Sequence, residues 1–227
     1  MNDVRYLLFP IELLQESEIK KVCDKALDYG IYRKALDFIV EGEIKVMPKH
    51  IEQSLKYFGL SGGNLPNMVN KGKVLFDTFN HNNPMVSISK EILMQFYKED
   101  KTDFEVLTFR AYCAIRSILT TKPYAKATND YLMARMYGFR SVANFEQSES
   151  HVLPRYQLDK IKLELQKDWY LIYYSRQTRG FYLSFSISLE KLIYHAELNR
   201  ESYKAKTLKQ AKNEAYQKVM LMMKKPP

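Results

Sequence analysis

The chain has 227 residues and 46% hydrophobic residues, which is enough for a folded core and excludes disorder throughout. Its two cysteines, Cys23 and Cys113, lie far apart, which excludes a disulfide framework and a cysteine-based metal site. The start lacks the layout of a signal peptide, and no apolar run approaches the ~18 residues of a membrane span. We therefore expect a cytoplasmic protein without a membrane partner.

The positive charge is unevenly distributed. The formal net charge is +9, yet residues 1–84 carry no net charge, residues 85–188 carry +4 and residues 189–227 carry +5. An excess of this kind is expected where a chain meets a polyanion. Many basic, lysine-rich chains are merely soluble and bind no polyanion. The charge therefore indicates binding only together with sequence motifs.

The first 84 residues predict a mainly helical unit of unknown role. Residues 5–11 predict a short strand, and a helix follows from Ser17, which Gly30 is expected to end or bend. Pro48 suits the first position of a further helix, and residues 59–67 predict a loop. A short helix is predicted after this loop. Residues 81–84 then predict a turn or linker, which places a boundary between residues 1–84 and the rest. The neutral charge of this unit favours a protein partner.

A strand and two helices are predicted next. MVSIS, residues 85–89, has a strand pattern, and Ser89 can cap the helix after it. An apolar stripe then runs from Phe104 to Ile118, which predicts a long buried helix that Pro123 stops.

The segment from residue 128 to residue 152 predicts a short helix and an irregular turn. Thr128 or Asn129 can cap the helix, and Gly138 is expected at the left-handed position after its last turn. Residues 142–152 are too many for a compact turn between two helices. Either the turn is longer, or part of it forms an extra helical turn.

The next helix is predicted to begin at Pro154. Leu158, Ile161 and Leu165 share one face and should pack inward. The other side presents residues that can contact bases or phosphate: Arg155, Tyr156, Gln157 and Lys160. The alternative is an ordinary solvated face.

Two aromatic strands joined by a basic turn follow this helix. In the second strand, Phe181 and Leu183 alternate with Tyr182 and Ser184, which predicts one buried and one polar face. Gly180 supplies the positive φ that hairpin loops often need. The tip between the strands exposes candidate phosphate or minor-groove contacts: Arg176, Gln177, Thr178 and Arg179.

This order of helices, strands and basic tip resembles the winged helix-turn-helix superfamily of DNA-binding proteins. The residues VSISKEILMQFY and the long helix after them are similar to plasmid and phage replication initiators and replisome organisers. The resemblance covers residues 85–188. It implies a recognition helix around Arg155–Lys162, a wing at Arg176–Arg179, and no catalysis.

The C-terminal part is predicted to be helical. Residues 189–197 should pack under the wing, so the winged domain is expected to span residues 85–198. From Ser202, apolar residues recur at three- and four-residue steps among many lysines. This basic tail, residues 199–227, could dock on its own domain, form a homodimer or lie along DNA, and docking is favoured.

The sequence predicts no enzyme. The four histidines stand apart, no catalytic motif occurs, and we expect no cofactor, metal ion or catalytic residue. The expected fold is mainly α with a small β-hairpin (α+β): a winged helix domain, a mostly helical N-terminal unit and a C-terminal helix. The expected function is non-catalytic binding of double-stranded DNA in replication initiation or transcription regulation of a mobile element or bacterial genome. The alternative is a winged-helix protein–protein interaction module that does not bind DNA.

Overall fold

The computed structural model describes residues 5–79, 83–148, 153–175 and 180–223, with side chains as far as residue 217. These parts form a mainly helical fold with two small antiparallel sheets, which confirms the predicted α+β class. The strands are β1 (Tyr6–Pro10), β2 (Met85–Ser89), β3 (Ala125–Ala127), β4 (Ile172–Tyr174) and β5 (Phe181–Ser184). The helices are α1 (Ile19–Leu36), α2 (Pro48–Phe58), α3 (Leu65–Thr78), α4 (Lys90–Lys98), α5 (Asp103–Leu119), α6 (Asn129–Met136), α7 (Val142–Glu146), α8 (Arg155–Asp168) and α9 (Leu189–Met223), with a 3-10 turn at Ile11–Gln15.

The first strand ties the N-terminal segment to the rest of the chain. β1 pairs antiparallel with β2, with Tyr6 opposite Ser89 and Pro10 opposite Met85. Alternate residues of both strands are fully buried, and one hydrophobic core continues from Leu7 to Leu183. The core therefore spans the boundary expected at residues 81–84, and the division into domains stays a prediction.

Gly30 does not end its helix, since α1 continues to Leu36, so that part of the prediction is wrong; the predicted bend stays a prediction. It lies inside α1, where β1 crosses the helix closely. A Cβ atom on Gly30 would lie 2.6 Å from Leu7 Cδ2 and 3.4 Å from the carbonyl oxygen of Leu8. The glycine is needed for close packing between helix and strand, which sequence periodicity does not reveal.

The other N-terminal helices begin and end at recognisable signals. Pro48 opens α2 as predicted, and Gly59 ends it with a left-handed φ of 62°. The predicted loop at 59–67 is shorter than expected, because α3 begins at Leu65. The side chain of Asn64 caps this helix by accepting a hydrogen bond from the Asn67 N–H at 3.1 Å.

The predicted strand and helices after residue 84 are confirmed. Ser89 caps α4 by accepting from the Ile92 N–H, and Thr102 and Glu105 form a capping box at the start of α5. α5 is the central helix, since one side packs on β2 and others contact α6 and α8. It ends at Leu119, four residues before Pro123.

The second sheet has the strand order β3-β5-β4, with both pairs antiparallel. β3 has no signal in the sequence, since three residues carry no usable periodicity. The predicted polar face of β5 is wrong. Tyr182 and Ser184 are buried like Phe181 and Leu183, because Leu192 and Ala196 of α9 cover the outer face of the sheet.

α9 is one continuous helix of 35 residues, and its two halves have different surroundings. The first half packs on β4 and β5 as expected. Every side chain from residue 201 to residue 217 is exposed, so the prediction that this segment docks on its own domain is wrong. None of the helices in the described residues combines the length and hydrophobicity that crossing a bilayer requires.

Candidate nucleic-acid interface

Local signals in the sequence determine where α6 begins and ends. Thr128 caps it by accepting from the Tyr131 N–H at 3.2 Å, as one of the two predicted caps. Gly138 ends it with φ 79°, as predicted, and the Phe139 N–H donates to the Ala134 carbonyl. The start of α6 is also joined to α8, because Lys162 Nζ donates to Asn129 Oδ1 at 2.7 Å.

The long segment between α6 and α8 contains an extra helical turn, which is the second of the two alternatives. Ser141 caps this short helix, α7, by accepting from the Asn144 N–H. Phe145 is buried against the rings of Tyr137 and Phe139, at centroid distances of 5.5 and 5.7 Å. Residues 149–152 lie outside the described residues. α7 thus fixes the path of the chain away from α6 by apolar packing.

α8 divides into a buried and an open side as predicted. Leu158, Ile161 and Leu165 are buried against the core. Pro154 is the residue before the first helical position, one place earlier than expected. The buried side fixes the rotation of the helix, and therefore which side chains face outward.

The open side of α8 exposes three of its four candidate DNA contacts. Arg155, Tyr156 and Lys160 are exposed, and Gln157 is half-buried. Tyr156 is 65% exposed, and Lys160 Nζ lies 5.8 Å from the centre of its ring. A cation beside an exposed aromatic ring can contact a phosphate or a base edge.

Lys162 does not belong to this surface, although the resemblance places it at the end of the recognition stretch. It is 4% exposed, and its ammonium group is used inside the protein. Besides Asn129, the ammonium contacts Asp159 at 3.2 Å and lies 4.6 Å from the ring centre of Phe181. The lysine joins α8 to α6 and to β5, so it supports the site without facing solvent.

The base of the wing is fixed, whereas its predicted tip lies outside the described residues. β4 pairs with β5, with Tyr174 opposite Tyr182. Gly180 has φ 91°, and a Cβ atom there would clash with the Ala127 carbonyl oxygen, so only glycine fits. The candidate residues outside the described part are Arg176, Gln177, Thr178 and Arg179.

Acidic side chains interrupt the positive charge of α8. Asp159 is exposed beside Lys162, and Glu164 and Asp168 lie one turn apart on the same helix. A hydrogen bond to Asp168 and the repulsion between the two carboxylates raise the pKa of Glu164 above its ordinary value. The outer face of α8 is therefore mixed in charge.

The basic side chains from Lys122 onward have few acidic partners among the described residues. Among those that the structure describes, Lys162, Lys167 and Arg200 form ion pairs with acidic residues. Further basic side chains are exposed and have no acidic group of the described residues within ion-pair distance: Lys122, Lys126, Arg155, Lys160, Lys204, Lys206, Lys209 and Lys212. Cations without an acidic partner are available to an external anion.

Within the described ranges, no group of three or more histidine, cysteine, aspartate or glutamate side chains is placed to hold a metal ion. Comparison of the chain with known protein families, curated proteins and solved structures finds no significant match in any of the three.

Proposed function

We propose that this protein binds double-stranded DNA without catalysis, as a winged helix-turn-helix protein. The first turns of α8 would enter the major groove, and the hairpin between β4 and β5 would contact the adjoining backbone. The observation that carries the proposal is the exposure of Arg155, Tyr156 and Lys160 on the open side of α8.

The arrangement of elements supports the same proposal. α5, β3, α6, α8, β4 and β5 come in this order in the chain, with the short α7 between α6 and α8, and the sheet order is β3-β5-β4. A third helix that leads into a two-stranded hairpin resembles the winged helix-turn-helix superfamily. Lys162 supports this geometry from inside, because it contacts both the start of α6 and the ring of Phe181 in β5.

The exposed half of α9 extends the proposed contact. Lys204, Lys206, Lys209 and Lys212 are exposed there, against Glu201 and Glu214. We assign this helix to the phosphate backbone, where lysine acts as a point charge without sequence preference.

Homodimerisation through α9 and a protein partner at residues 1–84 stay predictions. The proposed setting is cytoplasmic, in replication initiation or transcription regulation of a mobile element or bacterial genome.

Selection from a random duplex library, followed by mobility-shift titration over a salt series, tests the proposal. Replacing Arg176 or Arg179 by alanine should weaken binding to every duplex and lower the salt slope by about 0.9 for each phosphate that the arginine neutralises. Lys160→Ala or Gln157→Ala should instead relax preference among sites, by about 1–3 kcal/mol where the side chain reads a base. Lys45→Ala, an exposed lysine of the N-terminal part, is the control. Absent or salt-insensitive duplex binding would contradict the proposal.

A second candidate function is a protein–protein interaction module. The observation that favours it is the mixed face of α8, where Asp159, Glu164 and Asp168 accompany the basic residues and Leu163 is 65% exposed. A phosphate backbone repels such carboxylates, whereas a protein partner can pair with them. The same selection separates the two candidates. Enrichment of a duplex sequence supports DNA binding, and failure to enrich any sequence supports the interaction module.

A further inference from the structure

A large groove lies between β3 and α9, and none of the candidate residues of α8 lines it. Its volume is about 1180 Å³, and it runs between β3, the start of α6 and the middle of α9. β3 is at the edge of its sheet, and its three residues, 125–127, line this groove. The groove is larger than the ~300–1,000 Å³ typical of small-molecule pockets, which favours an extended ligand.

Four tyrosines line the groove, and three of them are held in place. The ring of Tyr124 stacks on His195 with centroids 4.5 Å apart. Tyr131 accepts a hydrogen bond from Arg135 Nη2 at 2.5 Å, and Tyr182 is buried beside Leu192 and Ala196. The fourth, Tyr203, is 72% exposed on α9. The groove thus offers fixed rings and one ring that is open to a ligand.

The charged groups of the groove are mainly cations. Lys122 and Lys126 are exposed and have no acidic partner among the described residues, and Lys126 Nζ lies 5.7 Å from the ring centre of Tyr182. Arg200 also lines the groove and is paired with Glu197. Anionic groups bound here would therefore lie within reach of aromatic rings.

Tyrosine rings among unpaired lysines suit a single strand of nucleic acid. Its phosphates meet the cations, and its bases stack on aromatic side chains. A duplex cannot use the rings in this way, because its bases are already stacked on one another. An added peptide strand is disfavoured, since β3 offers only the three residues Ala125–Ala127 for pairing.

The groove is continuous with the base of the wing. Its β3 side ends at Ala127 and Thr128, and Gly180 of the wing hairpin lies directly against these two residues. We propose that the groove between β3 and α9 binds single-stranded DNA, with Tyr203 as a stacking platform and with Lys122 and Lys126 at the phosphates. This surface is distinct from the α8 face, so a protein that uses both would hold a duplex and an adjoining unpaired strand.

Fluorescence anisotropy with a labelled oligothymidylate of about 16 nucleotides, the upper end of known site sizes, tests this proposal on the full chain. Tyr203→Ala should weaken binding about fivefold or more, because a base can no longer stack on the ring. The double substitution Lys122→Ala and Lys126→Ala should lower the salt slope by about 1.4, at about 0.7 for each phosphate on a single strand. Tyr97→Ala and Lys45→Ala, both exposed and outside the groove, are the matched controls.

Each variant is also titrated with duplex DNA. The expected result is a loss confined to the single strand, with duplex binding within about twofold of wild type and unchanged circular dichroism. Wild-type protein that does not bind oligothymidylate, or groove variants that bind it like wild type, would overturn the proposal. Equal losses in the two controls would overturn it too, because binding would then not depend on the groove. Duplex binding is scored separately, so either proposal can fail without the other.

Discussion

The part of the chain up to the end of α5 and the part from β3 onward use their basic side chains differently. Before residue 106, lysines form many ion pairs, such as Lys20 with Asp100 at 2.5 Å and Lys73 with Asp77 at 2.5 Å. Arg110 and Arg116 instead donate to backbone carbonyls inside the fold. From β3 onward, most described basic side chains, among them Lys126 and Lys160, have no acidic partner.

This difference separates cations that complete the fold from cations that are available to a ligand. Exposed ion pairs contribute only about 0–1 kcal/mol each, so their main effect in the first part is local neutralisation. In the second part the positive charge is left on the surface, where it raises the local concentration of anions. Net charge alone locates the excess, and only the structure shows which cations remain unpaired.

Replacement of Arg110 should have the largest effect on stability. Its guanidinium is buried and donates to the carbonyl oxygens of Leu14, Glu16 and Ser17, the last two at 2.6 and 3.2 Å. Arg110→Ala removes these bonds and leaves a cavity, so we expect the free energy of unfolding to fall by about 3–5 kcal/mol. Lys160→Ala, in the second part, should change it by less than about 0.5 kcal/mol. Urea denaturation measures the free energy of unfolding of both variants. A similar decrease in the two would contradict the distinction between the two parts of the chain.

Asp28 is an exception within the first part, because its carboxylate is poorly neutralised. Its side chain is 14% exposed, and its nearest cation, Lys71 Nζ, is 4.0 Å away. Burial, with repulsion from Asp24, raises the pKa of Asp28 to about 6. The folded protein therefore holds this proton more tightly than the unfolded chain. The resulting stability is present at low pH and is lost as the pH rises through about 6.

The substitution Asp28→Asn should remove this pH dependence. At pH 8 the variant should be more stable than wild type by about 1–3 kcal/mol, since one pKa unit corresponds to about 1.4 kcal/mol. At pH 4 the difference should be small. Urea denaturation of wild type and variant from pH 4 to pH 8 gives the free energy of unfolding of each protein as a function of pH. If the free energy of unfolding depends on pH in the same way in both proteins, the Asp28 carboxylate is better neutralised than its surroundings indicate. Asp37→Asn, at an exposed ion pair, is the control.

The lysines of the exposed half of α9 should affect binding without affecting stability. We expect Lys204, Lys206, Lys209 and Lys212 replaced together by glutamine to lower the salt slope of duplex binding by about 0.9 for each phosphate that these lysines neutralise. The free energy of unfolding should stay within about 0.5 kcal/mol, because these side chains are exposed. Mobility-shift and urea titrations measure the two quantities. A fall in stability without a change in slope would mean that this half of α9 packs on another surface.

Much of the fold follows from local signals. The caps at Ser89 and Thr128, the left-handed Gly138 and the apolar stripe of α8 all follow from residue type and spacing. The role of Gly30 does not, because it depends on β1, which crosses α1 from a distant part of the fold. β3 is equally hidden in the sequence, because a three-residue strand is defined by its partner β5 and not by its own residues.

In the candidate site, too, some features can be predicted from the sequence and others depend on packing between distant segments. Arg155, Tyr156 and Lys160 can be assigned to the open side of α8 from the sequence, because the apolar stripe fixes the opposite side. Lys162 cannot be placed inward in this way, since its burial depends on Asn129 from α6 and Phe181 from β5. The groove residues Tyr124 and Lys126 lie in and next to β3, whereas Tyr203 comes from α9, and the two segments share no sequence pattern.

Residue type and spacing are sufficient to predict the helices, most of their caps, the inward face of α8 and the location of the positive charge. These features depend on neighbours within a few positions along the chain. Packing between distant segments is what places α9 over the outer face of β5, buries Lys162 and encloses a groove between β3 and α9. Each of these depends on which distant surfaces meet, and apolar burial between them is not encoded in any local period.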